Sequence, residues 1–126
     1  MAFFLNIAIL LAMTTYETTL ANKIKDIPNI TVTAQNFYNK YSTHINKYRG
    51  GMPAGFMAAI AAYESGGKMS SEGDASLGEY GFFQITEAFP KTLGLSAELR
   101  KTTEGNIFLA GVEYNMEAKR LKLKYP

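Results

Sequence analysis

The chain has 126 residues, 47% of them apolar and 19% charged, which suits one small globular domain with a single core and argues against disorder. Thirteen Lys and Arg stand against eleven Asp and Glu, so the net charge of +2 gives no general attraction for nucleic acid. Cysteine is absent, which excludes a disulfide framework, a thiol nucleophile and a thiolate metal site.

Residues 1–13 are apolar except for Asn6. The run is shorter than the roughly 20 residues of a spanning helix. It has the length of a signal-peptide core, and Thr19-Leu20-Ala21 offers small residues near a cleavage point, but no Lys or Arg precedes it. Residues 1–21 therefore read as an apolar leader, either a signal peptide or a docking helix. Residues 22–52 form a polar extension: Asp26-Ile27-Pro28-Asn29 breaks the chain, and a Tyr- and Asn-rich segment with helical character runs on through Tyr48. Arg49-Gly50-Gly51-Met52-Pro53 marks a boundary, with glycines to end one element and a proline suited to the first turn of the next.

The main domain is expected over residues 53–126. Phe56, Met57, Ile60, Ala61 and Tyr63 recur at helical spacing, and Gly66-Gly67 fits a left-handed C-terminal cap. A loop rich in Ser, Gly and acid follows. The sequence then predicts a short helix from about Tyr80 to Phe89, halted by Pro90, and a last helix from about Thr103 carrying Ile107, Leu109, Ala110, Val112 and Tyr114 before turning basic. The predicted class is all-α. The basic end reads as a solvated face, with contact to an anionic wall or membrane surface as the alternative.

Glu64 is the first candidate for chemistry. A carboxylate in the last turn of a helix faces the negative end of the macrodipole, and its apolar neighbours limit hydration, so both effects raise its pKa. A carboxyl tuned in this way serves as a general acid at neutral pH. The competing reading is a solvated glutamate at a fraying helix end. Downstream, Gly78 and Gly81 permit close backbone approach to a ligand, Tyr80 lies between them, and Gln84 projects an amide from the next element. Phe82 and Phe83 read as core. His44 has no second histidine or cysteine to share a metal, so no metal and no cofactor is expected.

Three motifs, Glu64-Ser65, Gly78-x-x-Gly81-x-x-Gln84-Ile85 and Asn106-Ile107-x-x-x-Gly111-x-x-Tyr114, resemble in order and spacing the soluble lytic transglycosylase (SLT) domain of the goose-type lysozyme superfamily. The resemblance covers about Pro53 to Tyr114. It implies a lysozyme-like α fold acting on the β-1,4 bond between N-acetylmuramic acid and N-acetylglucosamine in peptidoglycan glycan strands. Glu64 falls on the family's catalytic glutamate, which protonates the leaving oxygen and then acts as base. The substrate's acetamido group takes the place of a second carboxylate, and the muramic 6-hydroxyl closes a 1,6-anhydro end. Ser65 falls on the residue that supports the glutamate, and Gln84 on the one lining the glycan cleft. Asn106, Gly111 and Tyr114 fall on a structural stretch, with Tyr114 as core. The implied location is the bacterial cell envelope, periplasm or exterior, or a virion.

Two departures qualify the resemblance. The family continues with a helix bearing an Ala-Tyr-Asn-Ala-Gly-like motif whose tyrosine reaches the catalytic glutamate, and Lys122-Leu123-Lys124-Tyr125-Pro126 offers none. A continuation of the chain or a partner protein would complete the cleft, or else the site is reduced, as in a non-catalytic wall-binding component of a phage particle or secretion apparatus. Second, the acidic loop offers Asp74 as a candidate second carboxylate. With Glu64 it would make a hydrolytic muramidase, since inverting hydrolysis uses two carboxyls about 6.5–9.5 Å apart. The competing reading of Asp74 is a turn residue bonded to its own backbone.

Overall fold

A computed structural model of the chain describes residues 29–69, 73 and 76–120. The leader, the start of the extension, Asp74 and the last six residues lie outside the described residues.

Among the described residues the chain is mostly helical and has no strand, which agrees with an all-α class. Helix α1 spans Ile30–Tyr48, α2 Ala54–Ser65, α3 Ala88–Thr92 and α4 Thr103–Arg120, with a 3-10 turn at Ala97–Lys101. None of these helices is long and apolar enough to cross a membrane.

Helix α2 is the centre of the molecule. It is apolar on nearly every side, as a helix surrounded by protein must be, and Met57, Ala58, Ile60, Ala61 and Ala62 are all buried. Helix α1 packs along it and also meets α4. The extension is thus built into the core, to which α1 contributes Phe37 and Ile45. Tyr41 departs from helical geometry (φ −121°, ψ 20°), so α1 bends between those two anchors. Phe37, Tyr41 and Phe82 form an aromatic triangle with ring centroids 4.9–5.1 Å apart. Phe83 continues it to Tyr114 at 5.7 Å. Phe82, Phe83 and Tyr114 are all core residues, as expected from the sequence.

Helix α4 approaches the end of α1 so closely that a methyl group at Gly111 would overlap the Tyr48 carbonyl oxygen. One turn on, the Asn115 amide donates to the carbonyls of Arg49 (2.9 Å) and Gly111 (2.8 Å) and accepts from Gly51 N–H (3.3 Å). That side chain fixes the glycine turn between α1 and α2 onto α4.

The segment expected to be helical from Tyr80 to Phe89 is instead a tight turn. Tyr80 and Ile85 exchange both backbone hydrogen bonds at 3.1 Å, closing the loop between them. Gly81 (φ 83°) and Gln84 (φ 51°) adopt left-handed backbone angles that no continuous helix accepts. Helix α3 begins only at Ala88, and Pro90 lies inside it rather than ending it. As the third residue of a five-residue helix, Pro90 gives up an N–H that has no helical acceptor anyway.

Candidate active site

Glu64 occupies the last turn of α2. The helix ends there because Gly66 (φ 66°) and Gly67 (φ 75°) take left-handed angles that reverse the chain. Ser65 stitches this end together. Its hydroxyl donates to the Ala61 carbonyl (3.0 Å) and accepts from the N–H groups of Gly67 (3.1 Å) and Lys68 (3.2 Å). Glu64 therefore stands on a fixed helix terminus rather than a frayed one.

The Glu64 carboxyl is poorly solvated. Oε1 is buried and has no hydrogen-bond partner among the described residues. Burial pushes its pKa from the ordinary 4.5 up to about 8, and the negative charges of Glu79 and Glu113 push the same way. Desolvation disfavours the charged form and like charges disfavour it further. The carboxyl accordingly keeps its proton to a higher pH than an ordinary glutamate does.

Two of these groups escape a reading of the sequence alone. Glu79 comes from the loop, immediately before Tyr80, and is half-buried. Glu113 comes from α4 and is likewise half-buried, with Oε2 sealed from solvent and without a partner among the described residues. Burial, aided by the charges of Glu117 and Glu79, pushes Glu113 up to about 7. For Glu113 a signal exists: it lies seven residues after buried Asn106 and three after buried Ala110, on the core stripe of α4, where an unpaired charge is out of place. Glu79 offers no comparable signal.

Asn106 holds the loop in place. It is fully buried; its Nδ2 donates to the carbonyls of Tyr80 (3.0 Å) and Arg100 (2.7 Å), and its Oδ1 accepts from Phe83 N–H (3.1 Å). A side chain at Gly81 would overlap the Asn106 amide, and one at Gly78 would crowd Glu87. The close approach for which both glycines are suited is thus made within the protein. Arg100 adds a guanidinium hydrogen bond to the Gly78 carbonyl.

The other predicted residues are placed as follows. Gln84 is 4% exposed, and its Nε2 donates to the Gly81 carbonyl (2.9 Å), so the amide turns inward and braces the loop. Tyr80 is half-buried, with the charged groups of Arg100 and Lys101 each 5.8 Å from its ring centroid. His44 is half-buried on α1, and no group of side chains able to hold a metal occurs among the described residues. At the same end of α2, a groove of about 250 Å³ opens between Gly66-Gly67 and α1, edged by Asn36, Lys40 and Tyr41. No family model, curated protein or solved structure matches this chain.

Proposed function

We propose that the protein is a peptidoglycan lytic transglycosylase in which Glu64 is the single acid and base. The observation that carries this reading is the Glu64 carboxyl itself, half-buried at a capped helix end, with Oε1 sealed from solvent and without a hydrogen-bond partner among the described residues, and with its pKa raised to about 8. A neutral carboxyl in that setting is matched to protonating a leaving oxygen. The resemblance of the Glu64-Ser65, Gly78–Ile85 and Asn106–Tyr114 motifs to the SLT domain supplies the substrate class and, with it, a lysozyme-like helical fold.

In this mechanism the Glu64 proton passes to the glycosidic oxygen as the bond from C1 breaks, and the substrate's acetamido oxygen closes on C1. Glu64, now a carboxylate, takes the proton of the muramic 6-hydroxyl as that oxygen attacks C1 and releases the acetamido group. The anhydro sugar forms and Glu64 is protonated again. The groove beside Gly66-Gly67 lies at the same end of α2, lined by Asn36 and Lys40 among others, and Glu64 is not among the residues that line it. The natural setting is the bacterial envelope or a virion that must cross it.

A second reading is favoured by Glu79, whose charge bears directly on Glu64. With Glu79 as a base that activates water, the same site becomes an inverting muramidase. In this hydrolase reading Glu79 takes the role for which the sequence suggested Asp74. Digestion of purified murein, followed by mass analysis of the fragments, separates the two: 1,6-anhydro ends are expected from the transglycosylase, reducing ends from the hydrolase. Absence of both products would remove the two enzymatic readings for this chain acting alone.

A further inference from the structure

Helix α1 lies outside the stretch that carries the resemblance, yet it forms one wall of the groove at the Glu64 end of α2, about 250 Å³ in volume. Thr33, Asn36 and Lys40 recur at helical spacing along that wall. None of the three side chains has a hydrogen-bond or ion-pair partner among the described residues. Phe37 and Tyr41 form the floor, each ring packed on Phe82 with centroids 4.9–5.0 Å apart. The opposite wall is the Gly66-Gly67 turn. A methyl group at Gly67 would meet Phe37 and Thr33 at 3.7–3.8 Å, so the turn stands in close register with α1.

The charges at this groove are all of one sign. Lys47, Lys91 and Lys101 are each held by a glutamate at 3.2–3.5 Å. Lys40 has no carboxylate partner among the described residues, and its ammonium stands 5.4 Å from the Tyr41 ring centroid. Lys68, exposed and likewise without an ion pair there, directly follows Gly67. No described carboxylate lines the groove. The negative end of α2 would oppose an anion, but three of its last carbonyls are occupied: Ala62 accepts from Gly66 N–H, Ala61 from Gly67 N–H and Ser65 from Lys68 N–H. The groove therefore offers a cation with hydroxyl and amide groups beside it, and no anion of its own.

We propose that this groove receives a free carboxylate of the peptide stem borne by muramic acid, so that α1 reads the peptide hanging from the glycan. The inference rests on peptidoglycan being the substrate. In intact murein the lactyl carboxyl of muramic acid is tied up in an amide bond to the stem, and the remaining carboxylates lie on the stem itself. That stem hangs from the same sugar whose bond is to be cleaved. Glu64 and Gly66 are two residues apart, so their backbones lie within about 7 Å of each other. A stem extends about 3.5 Å per residue, so two or three of its residues carry a carboxylate from a sugar at Glu64 into the groove.

The test is an amide NMR titration of the full-length protein at neutral pH with two probes: an N-acetylmuramyl tripeptide with free stem carboxylates, and the same compound with those carboxyls amidated. The free acid should move the Gly66, Gly67 and Asn36 backbone amides and bind more tightly than the amide. In Lys40→Gln the affinity for the free acid should fall about twofold to fivefold, as expected for one exposed ion pair. Added salt should weaken wild type more than this variant. Lys40 is exposed, so its replacement leaves the core intact. Lys91→Gln, an equal change of charge away from the groove, should bind like wild type. Equal binding of acid and amide, equal affinity in Lys40→Gln and wild type, or unmoved Gly66 and Gly67 amides overturns the proposal. Murein cleavage is scored separately. Stem binding in the groove without cleavage keeps this assignment and removes the lytic reading, whereas cleavage without groove binding does the reverse.

Discussion

Glu64 in α2 and Glu79 in the loop, fifteen residues apart in sequence, are brought together so that the charge on one opposes ionisation of the other. The loop can do this because Asn106 pins it from behind with three hydrogen bonds. If Glu79 acts only through its charge, Glu79→Gln lowers the Glu64 pKa and moves the alkaline limit of murein cleavage to lower pH, with anhydro products unchanged. If Glu79 is the hydrolytic base, the same substitution abolishes reducing ends. Product masses and a pH series on one variant distinguish the outcomes.

Stability should fall as the pH rises. Glu64 and Glu113 have folded-state pKa values of about 8 and about 7, above the ordinary 4.5. A carboxyl raised on folding favours the folded state fully below its unfolded pKa, and that advantage is lost as pH climbs towards the folded value. Thermal melts should therefore move down between about pH 5 and 9. Glu64→Gln and Glu113→Gln should each flatten the trend and gain about 1–3 kcal/mol at pH 9, given roughly 1.4 kcal/mol per pKa unit. A melting temperature that rises over this range would contradict the burial of both carboxyls.

Asn106→Ala removes all three bonds at once and leaves the Phe83 N–H and the Arg100 carbonyl in a buried place without that partner. The cost should be about 2–4 kcal/mol in chemical denaturation. Because the loop carries Glu79, the Glu64 titration should also shift downward in any folded fraction.

Two glycines on different helices should respond differently to alanine. At Gly66 there is open space, but the left-handed φ of 66° disfavours a side chain, so Gly66→Ala should cost about 1 kcal/mol. At Gly111 the added methyl meets the Tyr48 carbonyl, and α1 and α4 must part, which should cost about 2–3 kcal/mol or more. Equilibrium unfolding of the two variants checks the order.

The long helices were legible because their signals are local. Apolar spacing and the Gly66-Gly67 pair define α2, the glycine turn at Gly50-Gly51 ends α1, and Thr103 opens α4. The segment from Tyr80 to Ile85 was not, since Phe82, Phe83 and Ile85 are apolar in either a helix or a buried turn and nothing local separates the two. The left-handed angle at Gln84, a residue that seldom adopts it, depends on the anchoring of the whole loop by distant Asn106. Glu64 stood out in the sequence by its place in an apolar helix. Glu79 did not, because only tertiary packing brings its charge to bear on Glu64, and Glu113 was marked only by its place on the core stripe of α4. Burial emerges as the leading cause of the raised pKa of Glu64, with the charge of Glu79 next.

The most direct test of the account is the rate of murein cleavage from pH 5 to 10 for wild type and Glu64→Gln. A buried acid that titrates at about 8 predicts a wild-type rate that falls through that pH as the proton is lost, and no cleavage at any pH by Glu64→Gln. A rate still rising above pH 8, or a Glu64→Gln variant that cleaves like wild type, would contradict it.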